Sequence, residues 1–134
     1  LSHVLHSKNS NKNSDVTIID SFGDLESYFL QSQIVILGGS FISKGGHNPL
    51  EPASYGCAII SGNSVYNWQN IYEDMMIKKA CIIIEDINDI ESIINDLIIN
   101  KSMLKELKNN AIKFSKINFF DNKILINKIN MVLS

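Results

Sequence analysis

"LGGSFISKGGHNPLEP", residues 37–52, joins a predicted buried strand to the start of a predicted helix. It contains four glycines, a His-Asn pair and a glutamate enclosed by two prolines. The apolar run 34–37 that leads into it is typical of a strand buried on both faces, as in parallel sheets. Asn48 begins a short helical pattern, with Pro49 in the first turn, where a missing N–H costs nothing. This junction predicts a parallel α/β fold.

Strand and helix patterns alternate on both sides of this junction. Further strands are predicted at 16–20, 57–61 and 80–85, and helices at 21–32, 49–56, 66–79, 87–100, 101–117 and 121–133. We expect Ser21 or Asp20 to cap the first helix and Gly56 to end the second. The alternation predicts an α/β, Rossmann-like domain, with a parallel sheet, right-handed crossovers and flanking helices.

Four strands make a small sheet, and the chain begins at Leu1 with a polar, low-complexity segment. A full doubly wound domain usually has more strands. We therefore expect residues 1–14 to be a disordered or truncated linker, and residues 15–134 to be a partial, N-terminally truncated domain that binds a nucleotide.

Composition excludes several classes of function. The net charge is -2 and all 12 basic residues are lysines, so the sequence offers no basic surface for nucleic acid. No apolar run reaches the ~20 residues that a membrane span needs. Cys57 and Cys81 lie in apolar runs, which favours two buried thiols over a disulfide or a metal site. A folded domain that binds a small molecule remains.

Two glycine-containing segments follow predicted strands, "DSFGDL" at 20–25 and the loop at 38–51. In open parallel sheets, ligands bind outside the carboxyl ends of the strands. Glycine lets the backbone approach a ligand closely, and a helix start offers free N–H donors for an anion such as phosphate. Glu51, one turn into the helix, is placed to accept hydrogen bonds from ribose hydroxyls. These features predict a nucleotide site.

A purely structural interpretation stays open on the residue pattern alone. Neither the dinucleotide fingerprint nor the P-loop fingerprint is present, so the glycines could form a long turn and Glu51 could simply favour the helix dipole. His47 could be a packing or capping residue, and Asp20 and Asp24 could be helix caps. Three aromatic residues are expected in the core or at its rim rather than stacked on a base: Tyr66, Trp68 and Tyr72.

The literal string "GGHNPLEPASYG" carries more information than its residue types. Together with "DSFGDLE", "VILGGSF" and "SGNSVYNWQNI" in that order, it resembles the C-terminal domain of the bacterial lipid A Kdo (3-deoxy-D-manno-octulosonic acid) transferases, glycosyltransferases of the GT-B fold. The resemblance covers residues 15–118. Phe22 stands where the family usually has Met, Asp24 where it has Glu, and Asn63 where it has Pro.

The resemblance implies which residues contact the CMP part of a CMP-Kdo donor. These are Phe22, Gly23, Asp24, Asn48, Pro49, Leu50 and Glu51. It implies a supporting loop made of Gly38, Gly39, Ser40, Gly45, Gly46 and His47. It implies no metal, no cofactor and no catalytic residue in this chain, because the family's general base is a Glu in the N-terminal domain.

The resemblance also implies a function and partners. The chain is expected to be the C-terminal part of an enzyme that transfers Kdo from CMP-Kdo to a lipid A precursor in lipopolysaccharide biosynthesis, at the cytoplasmic face of the inner membrane. The acceptor would bind through an N-terminal domain, with a separately encoded N-terminal half as a candidate partner, and the chain alone would be inactive. The alternatives are a non-catalytic relic, a nucleotide-binding module, or the donor domain of another GT-B enzyme.

Overall fold

The computed structural model describes residues 1–8 and 14–133, with side chains in the last helix described as far as Asn118. The strands are β1 (His3–Leu5), β2 (Val16–Ile18), β3 (Ile34–Leu37), β4 (Ala58–Gly62) and β5 (Ile82–Ile84). The helices are α1 (Leu25–Gln31), α2 (Leu50–Ser54), α3 (Gln69–Ile77), α4 (Ile90–Ile99) and α5 (Lys101–Leu133). Short 3₁₀ turns lie at His6–Lys8, Tyr66–Trp68 and Ile87–Asp89. The predicted α/β class with parallel strands and flanking helices is confirmed.

The strands form two parallel sheets. One has the order β3-β4-β5, with Ile36 opposite Ile60 and Ile60 opposite Ile82. Its central strand β4 is buried at all five positions, as expected for a parallel strand covered on both faces. The other sheet pairs β1 with β2. The sequence predicts four strands, whereas the structure adds β1 and divides the five between two sheets.

Alternation along the strands places side chains in two apolar layers. Ile59 of β4 and the half-buried Val35 of β3 pack in a layer with helix residues including Phe29, Leu50, Tyr72, Met75 and Phe114. Ile60 of β4 and the half-buried Ile34 of β3 pack in a second layer with Leu97, Leu104 and Leu107. α1, α2 and α3 therefore cover one face of the three-stranded sheet, α4 covers the other, and α5 contributes side chains to both layers.

Both cysteines are free and buried, as the sequence predicts. Burial raises the pKa of the Cys57 thiol and raises the pKa of Cys81 to about 12, because the thiolate would lose its hydration. The two side chains therefore act as small uncharged hydrophobes at neutral pH.

Part of residues 1–14, the segment expected to be a disordered or truncated linker, forms strand β1 and pairs with β2. Ser2 donates its backbone N–H and its hydroxyl to the carboxylate of Asp15, at 2.7 and 3.0 Å. Ser7 donates in the same way to Asp20, at 2.9 and 2.6 Å. These hydrogen bonds, from Ser2 to Asp15 and from Ser7 to Asp20, thus hold the two ends of the β1-β2 pair together. Residues 9–13 lie outside the described part.

Helix ends differ from two predictions. Asp24, rather than Ser21 or Asp20, occupies the N-cap position of α1, and its side chain makes no capping bond. The two predicted helices at 101–117 and 121–133 form the single helix α5. Gly56 does end α2, with a φ of +78° and its N–H donated to the carbonyl of Ala53 at 3.0 Å.

The loop between β3 and α2 is fastened to the segment that follows β4. The buried Ser40 hydroxyl donates to the Leu37 carbonyl at 2.6 Å and accepts the Gly62 N–H at 2.8 Å. Farther along, the Asn67 N–H donates to the Gly45 carbonyl at 3.1 Å. The loop is therefore part of the core's framework rather than a free surface loop.

Gly62→Ala should destabilise the protein, because the added Cβ would lie 2.6 Å from the carbonyl carbon of Ser40, a backbone atom that cannot rotate away. Overpacking of this kind costs roughly 1–3 kcal/mol in the free energy of unfolding, measured by chemical denaturation. Gly38→Ala is the matched control, since an added Cβ there has nothing within 4 Å and φ is not positive. Equal stability of the two variants would contradict the fastened loop.

The β1-β2 pair should loosen in acid. Hydrogen bonds from Ser2 lower the pKa of Asp15, and those from Ser7 lower the pKa of Asp20. The stability that these hydrogen bonds contribute is present above the pKa of the unfolded chain, which is about 3.9. It is lost as the pH falls through the lower pKa values of the folded state. We expect the NMR signals of His3–Leu5 to shift below about pH 4 in the wild type. An Asp15→Asn/Asp20→Asn double variant should lack this transition, whereas Asp74→Asn on α3 should keep it.

Candidate functional site

The two loops predicted to bind a nucleotide precede α1 and α2, and Tyr55 brings these helices together. The Tyr55 ring stacks on Phe29 of α1, with ring centroids 6.0 Å apart. The Glu26 carboxylate beside the hydroxyl, helped by burial and by the negative charge of Glu51, raises the pKa of Tyr55. Tyr55, which follows α2, therefore links α2 to α1 through Phe29 and Glu26.

The first loop presents an exposed tip. Phe22 is fully exposed, and Gly23 has a φ of +91° with nothing within 4 Å of where a Cβ would lie. The carboxylate of Asp24 accepts a hydrogen bond from the Ser21 hydroxyl. Phe22 and Gly23 are thus open to solvent, whereas Asp24 is already engaged by the protein.

A histidine that the sequence did not single out joins this loop. His6 Nε2 lies 3.4 Å from a carboxylate oxygen of Asp24, and His6 Nδ1 lies 2.6 Å from the Tyr28 hydroxyl. When Tyr28 donates to Nδ1, the Nε2–H faces Asp24. No motif around His6 could have predicted this, because the contact depends on the pairing of β1 with β2.

The second loop begins with the GGS segment. Gly38 is exposed and open, Gly39 has a φ of +69° and lies against the His47 imidazole, and Ser40 is buried in the bonds described above. The Gly46 N–H donates to the Gly39 carbonyl at 3.1 Å, which closes the loop on itself. The second loop is thus one compact unit, which contains Gly38, Gly39, Ser40, Gly45, Gly46 and His47.

The NPLE segment forms the turn into α2. The Asn48 side-chain oxygen accepts the Leu50 N–H at 3.0 Å, and Pro49 occupies the N-cap position. Pro49 and Leu50 are buried, so their part is to hold the turn, while Glu51 is exposed. α2 has only five residues, so its dipole is weaker than the sequence-based argument for a helix start supposes.

The glycines serve two different purposes. A Cβ at Gly45 would clash with Asn67 and Tyr66, and one at Gly46 would press on Val65 at 3.2 Å. These two glycines are required by the protein's own packing. Gly38 is different, because neither a positive φ nor a neighbouring atom requires a glycine there. Among the loop glycines, Gly38 is therefore the best candidate for close approach by a ligand.

Two of the aromatic residues, Tyr66 and Tyr72, contact the second loop through their hydroxyl groups. Tyr72 is fully buried, its hydroxyl donates to the His47 carbonyl at 3.0 Å, and burial raises its pKa to about 12. Tyr66 is largely exposed and its hydroxyl donates to the Ser43 carbonyl at 3.3 Å. Both tyrosines therefore support the second loop from the side of α3.

The described residues contain neither a metal-binding cluster nor a membrane-spanning helix. No group of three or more His, Cys, Asp or Glu side chains there is placed to hold a metal ion. Within the same residues, no helix combines the length and the apolar character needed to cross a membrane.

Several curated proteins are similar to this chain in sequence. The chain is 34% identical over 104 residues to the 3-deoxy-D-manno-octulosonic acid transferase of Rickettsia prowazekii, covering 76% of this chain and 22% of the relative. It is 30% identical over 100 residues to the transferase of the same name from Haemophilus influenzae, covering 74% of this chain and 23% of the relative. The chain thus spans about a quarter of the length of these relatives. A search of family models found no match.

A solved structure shares the fold. The C-terminal CMP-Kdo binding domain of WaaA from Acinetobacter baumannii superposes with a TM-score of 0.79 at 26% identity, covering 85% of this chain and 61% of that domain. The resemblance inferred from the GGHNPLEP string is therefore confirmed by sequence and by structure. The chain belongs to the 3-deoxy-D-manno-octulosonic acid transferase family of glycosyltransferases, and its matched part corresponds to their C-terminal domain.

Proposed function

We propose that this chain is the donor-binding part of a Kdo transferase and that it binds the CMP portion of CMP-Kdo. The observation that carries the proposal is the structural match to a domain described as binding CMP-Kdo. The site would comprise Phe22–Asp24 on one loop and Asn48–Glu51 on the other, with the loop from Gly38 to His47 as support. The alternative is that the chain is the donor domain of another glycosyltransferase and binds a UDP-sugar.

The geometry supports distinct tasks for these residues. Exposed Glu51 can accept hydrogen bonds from the vicinal ribose hydroxyls. Open Gly38 leaves room for the phosphate or sugar to approach the backbone. Asn48, Pro49 and Leu50 hold the turn, and Asp24 is kept in place by Ser21 and His6. Because the second loop is already fastened, little of its ordering entropy would be lost on binding.

In the proposed reaction, an acceptor hydroxyl of a lipid A precursor displaces CMP at the anomeric carbon of Kdo. A base outside these 134 residues would take the hydroxyl proton, as general base catalysis requires. This chain would stabilise the charge that develops on the departing phosphate. The complete enzyme would work at the cytoplasmic face of the inner membrane, where its lipid acceptor is exposed.

CMP should bind to the 134-residue chain with a dissociation constant in the millimolar range, about -4 kcal/mol, measured by NMR titration. Glu51→Ala should weaken binding by about tenfold, since it removes charge-assisted hydrogen bonds to ribose. Glu91→Ala is the matched control, because Glu91 is an exposed acid in the first turn of α4. No saturable binding, or equal effects of the two substitutions, would count against the site.

Gly38→Ala provides a second test of the same site. It should weaken CMP binding while leaving the free energy of unfolding unchanged or slightly higher, since the free protein has open space there. Tighter binding of UDP than of CMP would favour the alternative glycosyltransferase donor.

We expect no Kdo transfer by the 134 residues alone, because the chain spans only about a quarter of the length of its curated relatives. The measurement is release of CMP from CMP-Kdo in the presence of a lipid A precursor, with a full-length relative as positive control. Turnover above the rate without protein would show that the base lies within this chain.

A further inference from the structure

Two consecutive residues of the first 3₁₀ turn hold the two ends of the first loop, residues 20–24. At one end, Ser7 donates its backbone N–H and its hydroxyl to the Asp20 carboxylate, at 2.9 and 2.6 Å. At the other end, His6 Nε2 lies 3.4 Å from a carboxylate oxygen of Asp24. The segment that follows β1 therefore determines where this loop begins and where it ends.

The tip of the loop depends on these end contacts for its position. Phe22 is fully exposed, and a Cβ on Gly23 would have nothing within 4 Å. The Asp24 side chain makes no capping bond to α1 and instead accepts a hydrogen bond from the Ser21 hydroxyl. A carboxylate held on one side by Ser21 and on the other by His6 fixes the residue that follows the tip.

The imidazole of His6 is itself held in one orientation. Its Nδ1 lies 2.6 Å from the Tyr28 hydroxyl, and the two rings meet edge to face, with centroids 5.5 Å apart and planes inclined at 74°. Tyr28 belongs to α1, the helix that follows the loop. His6 thus joins the 3₁₀ turn, the loop and α1, and its orientation directs Nε2 towards Asp24.

The charge of His6 acts on the carboxylates of the loop. The titratable groups around the imidazole are those of Asp20, Asp24 and Tyr28, with the exposed Lys8 on its own turn. Hydrogen bonds from Ser7 lower the pKa of Asp20, and the charge of His6 lowers it further. Histidine side chains ordinarily gain their charge between about pH 8 and pH 5. A protonated His6 would offset part of the negative charge that the two aspartates place beside an anionic ligand.

We propose that His6 is a positioning residue for CMP binding, an inference that rests on the proposed function. Its imidazole fixes the Asp24 carboxylate and thereby orders the tip at Phe22 and Gly23 before the ligand binds. In its protonated form it also weakens the repulsion between the loop and the CMP phosphate. The affinity for CMP therefore rises as His6 becomes protonated, although His6 itself need not touch the ligand.

The charge is tested by NMR titration of the 134-residue chain with CMP at about pH 6 and about pH 8. His6→Gln keeps an N–H donor for Asp24 but cannot become charged. We expect its dissociation constant to equal that of the wild type at the higher pH and to be about threefold larger at the lower pH, as suits a partly exposed ion pair. Comparison with the wild type at the same pH removes the effect of the phosphate's own ionisation.

The matched control is His3→Gln, because His3 is an exposed histidine on the neighbouring strand β1. Its dissociation constant should equal that of the wild type at both pH values. A loss at the lower pH as large as that of His6→Gln would overturn the proposal, and so would equal effects of His6→Gln at the two pH values.

The positioning is tested in the free protein, without CMP. His6→Ala removes the contact to Asp24 as well as the charge, so the backbone order parameters of Phe22 and Gly23 should fall, whereas His6→Gln should keep them near the wild-type values. In the neutral wild type, nitrogen chemical shifts should place the imidazole proton on Nε2, with Tyr28 donating to Nδ1.

Order parameters that His6→Ala leaves unchanged would overturn the proposal. A loop that loses order in His6→Ala, in a protein whose wild type shows no saturable CMP binding, would uphold His6 as the residue that positions the loop. That result would contradict the donor site instead, so a failure of the proposed function can be told apart from a failure of this inference.

Discussion

The close approach of Ser40 to Gly62 is the constraint on which the candidate site depends. One hydroxyl bridges the end of β3 and the end of β4, donating to Leu37 and accepting from Gly62, and Gly62 has no Cβ to keep the two backbones apart. Both partners are buried, so neither bond competes with water. The first residues of the long loop thereby acquire the rigidity of the central strand.

Further hydrogen bonds hold the rest of the loop in place. Asn67 bonds to Gly45 and Tyr72 bonds to His47, so the segment after β4 and the helix α3 hold the loop along its length. The positive φ values of Gly45 and Gly46 let it fold into that contact. Glu51 therefore projects from a turn whose place is set by buried bonds. A preorganised carboxylate of this kind loses less entropy on binding than one on a mobile loop.

Sequence patterns predicted the fold class, the strands from β2 to β5 and the two loops, because each depends on local apolar runs and glycines. They misplaced the cap of α1 and missed β1. Val4 and Leu5 are too short an apolar run to indicate a strand, and the Ser-Asp hydrogen bonds that hold β1 join residues more than ten positions apart. His6 escaped notice for the same reason. The GGHNPLEP string predicted the family, but its glycines suggested one purpose where the structure shows two.

Strand β3 shows how the composition of a strand relates to the elements that cover it. Burial on both faces and at both edges favours an uninterrupted run such as Ile34–Leu37, whereas a permanent edge favours charged or interrupted strands. β4 satisfies this relation, because its environment matches its sequence. β3 does not, since Ile36 is exposed on a face that α4 leaves uncovered. The mismatch lies beside Gly38, the loop glycine with open space around it.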